Sequence, residues 1–221
     1  MSNTVSTEEF AQMVKHGKLN LRDNTTALPE RWPAGIETLI LCGNTAPLPT
    51  QWPAGIVTLA LRGNTAPLPD QWPAGIQTLT LDENAASLPS QWPAELQYLN
   101  LSGNMAPLPN QWPAGIKTLE ITGNRVPLPN QWSVGIVYLD LSGNTAPLPN
   151  QWPSEVWYLD LRGNKSPLPE HWPAQLQYLY LDGNTAEVPS QWPPELQYLS
   201  LSGNKAQLPE HFPTHARVYG I

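Results

Sequence analysis

The chain has 221 residues, 18 of them acidic and 11 basic, and a formal net charge of −7 at pH 7. Nucleic acids and anionic membranes attract basic surfaces, so neither is expected as a partner, and no apolar run approaches the roughly 20 residues that cross a bilayer. The one cysteine, Cys42, excludes an internal disulfide and is typical of a protein from a reducing compartment.

Residues 1–17 do not follow the pattern of the rest of the chain and are predicted to form an N-terminal helical cap. Ser6 and Glu9 have the spacing of a capping box, and Phe10 and Met13 would lie on one apolar face of the helix. A repeat array exposes the apolar side of its first unit, which a terminal helix is expected to cover. Because the segment lacks the basic and apolar regions of a secretory signal, we expect a cytoplasmic protein, or one exported by a specialised secretion system without a cleaved signal peptide.

Residues 18–221 are predicted to form an array of about ten repeats, because the segment 32–44 recurs every 20 residues with few changes. In each repeat two apolar residues, such as Leu39 and Leu41, stand two positions apart, which is the spacing of side chains on one face of a strand. An asparagine follows each strand. A buried amide that lacks a hydrogen bond costs about 1–3 kcal/mol, so we expect each asparagine to bond the backbone of its own and the neighbouring turn.

The pattern Leu-X-X-Leu-X-Leu-X-X-Asn resembles the leucine-rich repeat. The following Leu-Pro-X-X-Trp-Pro, in a 20-residue period, resembles the short bacterial subtype found in type III secreted effectors of the YopM, IpaH and SspH kind. The resemblance covers residues 18 to about 213. It implies a leucine-rich-repeat solenoid with short parallel strands on the concave face. The convex side is expected to be extended and polyproline-like, because Pro47, Pro49 and Pro53 are incompatible with a helix.

Two features depart from the pattern of that family. Alanines such as Ala46 stand where a leucine usually follows the asparagine, and tryptophans such as Trp52 and Trp72 stand where the second segment usually carries leucine. Cores tolerate such an exchange when the total volume is kept. A buried column of tryptophans is therefore expected.

The array ends in a degenerate repeat, in which Phe212 replaces the tryptophan and Ala216 and Tyr219 are predicted to replace leucines. No segment resembling a C-terminal cap follows. Three interpretations stay open: polar residues blunt the last strand, the strand pairs with a second copy to give a homodimer, or the sequence is part of a longer protein.

The outward positions of the strands vary from repeat to repeat, so we expect binding to depend on them. Tyrosines and carboxylates are concentrated in the C-terminal half, and tyrosine offers a large, stiff and amphipathic contact area. The alternative is that the tyrosines only pack against one another across the strands. The predicted binding residues on the concave face are Tyr98, Glu120, Tyr138, Asp140, Trp157, Tyr158, Asp160, Arg162, Tyr178, Tyr180, Asp182 and Tyr198.

Glu120, Asp140 and Asp160 occupy the same position on three adjacent strands, about 4.8 Å apart. Like charges at this distance destabilise a sheet and raise one another's pKa, and only Lys117 and Arg162 are near enough in register to offset them. The column therefore favours a partner with a basic patch. A metal ion that bridges the three carboxylates is left open, and no cofactor is predicted.

The sequence thus predicts a non-enzymatic module that binds a protein or peptide on its concave face, and it shows no set of residues with catalytic spacing. Two alternatives remain. One is the substrate-recognition domain of an effector ubiquitin ligase whose catalytic domain is outside this sequence. The other is a consensus-like or designed repeat scaffold without a specific partner.

Overall fold

A computed structural model describes residues 7–129, 131–187, 189, 191–204 and 212–220. Its one helix in these residues, α1, spans Thr7–Met13, and the predicted capping residue Ser6 lies outside the described part. Phe10 is buried, with its ring centroid 6.3 Å from that of Trp32, so the helix covers the first repeat as predicted. The prediction is wrong for Met13, which is 44% exposed because the helix ends there and the chain turns back. None of the helical structure described is long and apolar enough to pass through a membrane.

Eleven three-residue strands follow, which are β1 Lys18–Asn20, β2 Thr38–Ile40, β3 Thr58–Ala60, β4 Thr78–Thr80, β5 Tyr98–Asn100, β6 Thr118–Glu120, β7 Tyr138–Asp140, β8 Tyr158–Asp160, β9 Tyr178–Tyr180, β10 Tyr198–Ser200 and β11 Arg217–Tyr219. The chain forms two compact units, Met1–Pro109 with α1 and β1–β5, and Asn110–Ile221 with β6–β11. Within each unit the strands lie side by side in sequence order. Neighbouring strands are parallel, and from β1 to β5 and from β6 to β10 each central leucine pairs with the leucine 20 residues further on.

The core is built from the inward residues of every repeat. In the first unit Ile56, Leu59 and Leu61 are at most 1% exposed, and in the second Leu159 and Leu161 are wholly buried. Full burial of such a side chain stabilises the fold by about 1.5–3 kcal/mol. The predicted solenoid of short parallel strands is confirmed in both units, and the described segments between the strands contain no helix, as their prolines predicted.

Several asparagines of the column bond the backbone of their own turn, as predicted, but the bonds to the neighbouring turn join one amide to the next and do not reach its backbone. Asn44 is wholly buried, its Nδ2 donates to the carbonyl oxygen of Ala46 at 2.6 Å, and its Oδ1 accepts from Asn24 Nδ2 at 3.0 Å. In the second unit the Oδ1 of Asn164 accepts from the backbone N–H of Ser166 at 2.8 Å. Each of these amides therefore satisfies backbone groups that the turn would otherwise leave unpaired.

The predicted buried column of tryptophans is confirmed only in part, because the described indole rings at this position are half-buried. Several of them use the indole N–H to join one repeat to the next. Trp72 Nε1 donates to the carbonyl oxygen of Gln91 at 3.0 Å, and Trp172 Nε1 donates to that of Gln191 at 3.1 Å. An amphipathic ring that needs a hydrogen-bond partner sits at the boundary of the core and not at its centre.

The last strand, β11, lies one residue earlier than the 20-residue period predicts. Val218 pairs with Leu199, so Val218 takes the inward position and Tyr219 lies beside Ser200 on the outward face. The prediction that Tyr219 replaces a leucine is therefore wrong. The reason is that Val218 follows Pro213 by five positions, whereas Leu199 follows the equivalent Pro193 of the preceding repeat by six.

Candidate functional site

Four tyrosines stand in one column on the outward face of the second unit, one on each of the strands β7–β10. Parallel pairing in register puts Tyr138 beside Tyr158, Tyr158 beside Tyr178, and Tyr178 beside Tyr198. The ring centroids of these pairs are 4.2, 6.4 and 6.1 Å apart, and the ring planes differ by 13–24°. The strand spacing thus builds a continuous stack of rings.

Two further tyrosines widen this stack. Tyr180 lies 5.1 Å from both Tyr158 and Tyr198, and Tyr219 lies 5.0 Å from Tyr198, measured between ring centroids. We name the six rings Tyr138, Tyr158, Tyr178, Tyr180, Tyr198 and Tyr219 the tyrosine stripe. Tyr219 is 48% exposed and was missed by the sequence prediction; the apolar residue between Arg217 and Tyr219 is the signal that could have revealed it.

Trp157 borders the stripe just before β8. Its ring meets Tyr178 edge-on at 5.5 Å and Tyr158 edge-on at 6.3 Å, and it remains 40% exposed. An indole that is held by two neighbours and still presents a large exposed area can anchor a partner without much loss of its own conformational freedom.

The carboxylates next to the stripe are tied to the backbone of their own strands. Asp160 is wholly buried, and its two oxygens lie 2.6–3.0 Å from the Nε and Nη2 of Arg162. The oxygen Oδ1 of Asp140 accepts from the backbone N–H of Ser142 at 2.8 Å. Asn100 makes the same contact with Ser102, also at 2.8 Å, so a neutral side chain can fulfil this structural role.

Three solved structures with a similar fold come from bacteria. YopM from Yersinia enterocolitica WA-314 matches with a TM-score of 0.68 and 25% identity, over 85% of this chain and 42% of YopM. The chain therefore has the leucine-rich-repeat fold. The predicted resemblance to short bacterial leucine-rich-repeat proteins is confirmed by this match and by the 20-residue spacing of the strands.

Two other leucine-rich-repeat structures support the same fold. YopM from Yersinia pestis, titled a leucine-rich effector protein, has a TM-score of 0.67 and 20% identity over 86% of this chain and 62% of its own. An internalin (InlF) from Listeria monocytogenes 4b F2365 has a TM-score of 0.62 and 16% identity over 97% of this chain and 62% of its own. This chain thus spans 42–62% of the length of these neighbours. No family model and no curated protein matches its sequence.

The leucine-rich-repeat scaffold brings most of the predicted binding residues together, but not all. Eleven of the twelve lie in the second unit, whereas Tyr98 lies in the first, on β5, where its neighbour on β4 is Thr78. Asp182 is engaged by the hydroxyl of Ser200 at 2.5 Å and by the backbone N–H of Ser202 at 2.8 Å. The site therefore concentrates on β7–β11.

The acidic column is less repulsive than the sequence suggested. Arg162 neutralises Asp160 directly, while the Lys117 ammonium lies beside Gly135, at the other end of the strands, and does not offset the acids. Within the described residues no group of three or more histidine, cysteine, aspartate or glutamate side chains is arranged to hold a metal ion. A partner with a basic patch would find Asp140, but not Asp160, open to some solvent contact.

Replacing Asp140 with asparagine is expected to stabilise the protein at neutral pH. Burial raises the pKa of Asp140, Asp160 raises it further, and the N–H of Ser142 acts in the opposite direction. A carboxyl whose pKa is higher in the folded state disfavours folding once it ionises, so stability falls as pH rises through its range. Asparagine keeps the acceptor for Ser142, and its advantage should disappear below about pH 3, where both states are protonated.

Urea denaturation of wild type and Asp140→Asn at pH 7 and at pH 3 measures this effect. Asp160→Asn is the matched control, because its carboxylate has a cationic partner and its replacement should lower stability at pH 7. An Asp140→Asn variant that is less stable than wild type at pH 7 would contradict the expectation.

Proposed function

We propose that the chain is a non-enzymatic, effector-like protein-binding module whose tyrosine stripe, with Trp157, contacts a protein or peptide partner. The observation that carries this proposal is the continuous aromatic surface across five adjacent strands, with Trp157 and Tyr219 exposed by 40% and 48%. Aromatic residues are enriched at the energetic centres of protein interfaces. The neighbour from Yersinia pestis is described as a leucine-rich effector protein, which supports an effector-like role.

The packing of the stripe supports its use in binding. Each ring is stacked against the next, so the tyrosines are largely ordered before a partner arrives, and ordering them costs little conformational entropy on association. Tyr138 and Tyr158 are half-buried, which leaves their edges for contact. In this proposal the tyrosines of the stripe have two roles. They pack against one another and stabilise the sheet, and they contact the partner.

The first unit provides a natural reference surface. Its equivalent outward positions on β3 and β4 carry Thr58, Ala60, Thr78 and Thr80. These small side chains offer no aromatic anchor on the same scaffold. A partner that recognises the stripe should therefore not bind the outward face of β3 and β4.

The test compares affinity capture by wild type, by Trp157→Ala/Tyr178→Ala and by the reference variant Thr58→Ala/Thr78→Ala. A specific partner should be captured by wild type and by the reference variant and lost with the aromatic variant. Once that partner is purified, its dissociation constant for the aromatic variant should be at least about 30-fold higher than for wild type. This is the change expected for the loss of a hot spot of about 2 kcal/mol. Capture of the same proteins by all three, with all three folded by circular dichroism, would refute the proposal.

A further inference from the structure

Tyr138 and Tyr158 form the closest ring pair among the described aromatic residues. Their centroids are 4.2 Å apart and their planes differ by 13°. The centroids of the other contacting tyrosine pairs in the stripe are 5.0–6.4 Å apart. The two phenol rings are therefore held face to face on adjacent strands.

This geometry suits a reaction that is specific to neighbouring phenols. We propose that Tyr138 and Tyr158 are an oxidative modification site, at which a haem peroxidase with hydrogen peroxide forms an intramolecular dityrosine cross-link. Each phenol loses one electron and one proton and becomes a phenoxyl radical. The two radicals form a carbon–carbon bond between their ortho positions, and the ortho hydrogens move to the oxygens as the rings regain aromaticity. The peroxide takes up the two electrons and two protons and gives two water molecules.

The rest of the stripe provides a route to this pair for an oxidant that cannot enter the stack. Trp157 and Tyr219 are the most exposed rings, and their centroids lie 5.5 Å from Tyr178 and 5.0 Å from Tyr198, respectively. From Tyr219 the path runs through Tyr198, Tyr180 and Tyr158 in steps of 5.0, 5.1 and 5.1 Å. A radical formed at an exposed ring can therefore reach the pair by transfer between rings in contact.

The cross-link can be located by peptide mapping, because the sequence separates the two tyrosines conveniently. Trypsin cleaves after Arg125 and Arg162 and leaves both tyrosines in one peptide, and a glutamate-specific protease then cuts after Glu155. The unmodified chain gives peptides 126–155 and 156–162. The cross-linked chain gives one joined peptide, whose mass is the sum of these two peptide masses minus two hydrogen atoms. A link from Tyr158 to Tyr178 or Tyr180 would join a different pair of peptides.

The experiment treats dilute full-length protein with a haem peroxidase and hydrogen peroxide and follows dityrosine fluorescence and the joined peptide. We expect wild type to give the joined peptide in the monomeric fraction, and the peptide to be lost in Tyr138→Phe and in Tyr158→Phe. Phenylalanine keeps the stacked ring and removes only the phenol. Tyr98→Phe, in the first unit, should leave the joined peptide unchanged.

Three results would overturn the proposal. These are oxidation of wild type without the joined peptide, dityrosine confined to cross-linked dimers, or a joined peptide that persists in Tyr138→Phe. Thermal unfolding of each variant confirms that the phenylalanine substitutions leave the fold intact. Since the experiment needs no partner, its failure would leave the proposed binding function untouched.

Discussion

Replacing Arg162 with methionine is expected to lower the free energy of unfolding by about 2–4 kcal/mol. The carboxylate of Asp160 is wholly buried, and the Arg162 guanidinium is its charged partner, at 2.6 Å between Nη2 and Oδ2. Methionine keeps most of the length of the side chain, but it removes the guanidinium that lies over the Tyr180 ring at 5.7 Å and leaves a buried charge without compensation. The side chain of Arg162 is itself 53% exposed, so solvent screening keeps the expected loss below that of a fully buried pair.

Arg62 provides the matched control, since it occupies the same position five repeats earlier. It pairs with Glu83 at 2.8 Å, where both side chains are more than half exposed, and with Asp82 at 3.2 Å, whose side chain is still 18% exposed, whereas that of Asp160 is wholly buried. Arg62→Met should therefore change stability far less than Arg162→Met in urea denaturation at pH 7. The double variant Arg162→Met/Asp160→Asn should recover part of the loss, because it removes the unpaired charge. Equal losses for the two arginine variants would show that Asp160 does not need its partner.

The repeated core could be predicted from the sequence because its information is local. The two-residue spacing of Leu59 and Leu61 fixes which side chains face inward, and the 20-residue period fixes which strands are neighbours. Parallel pairing in register follows from these two facts, and it also places Tyr138 beside Tyr158. The column of tyrosines was therefore predictable, together with the positions of the acids beside it.

The partners of the acids could not be predicted in the same way. The sequence shows Asp140 and Asp160 as like charges on adjacent strands, but their contacts depend on the turn that follows each strand. There the carboxylate oxygens reach the backbone N–H two residues on, and Arg162 folds back onto Asp160. Register at the end of the chain was missed for a related reason, because one deleted residue before Val218 moves Tyr219 to the outward face.

The second large effect is expected for Asn44→Ala, which should lower the free energy of unfolding by about 2–3 kcal/mol. Asn44 is wholly buried, and it connects three groups: the carbonyl oxygen of Ala46 at 2.6 Å, the Nδ2 of Asn24 at 3.0 Å and the Oδ1 of Asn64 at 3.4 Å. Alanine would leave the Ala46 carbonyl buried without its donor, where water cannot replace the lost bond. Thermal or urea denaturation measures the loss.

Asn24→Ala separates the effect of burial from that of the hydrogen bond itself. Asn24 makes nearly the same contact with its own turn, 2.7 Å from Nδ2 to the carbonyl oxygen of Thr26, but this contact is exposed to solvent. Water can satisfy that carbonyl after the substitution, but the buried Oδ1 of Asn44 loses its donor, the Nδ2 of Asn24. The loss should therefore be about 1 kcal/mol, smaller than that of Asn44→Ala. If Asn24→Ala cost as much as Asn44→Ala, the asparagines would stabilise the turns through local geometry alone. A large difference would show that the buried asparagines are needed because each buried turn contains a backbone carbonyl that only its own asparagine can reach.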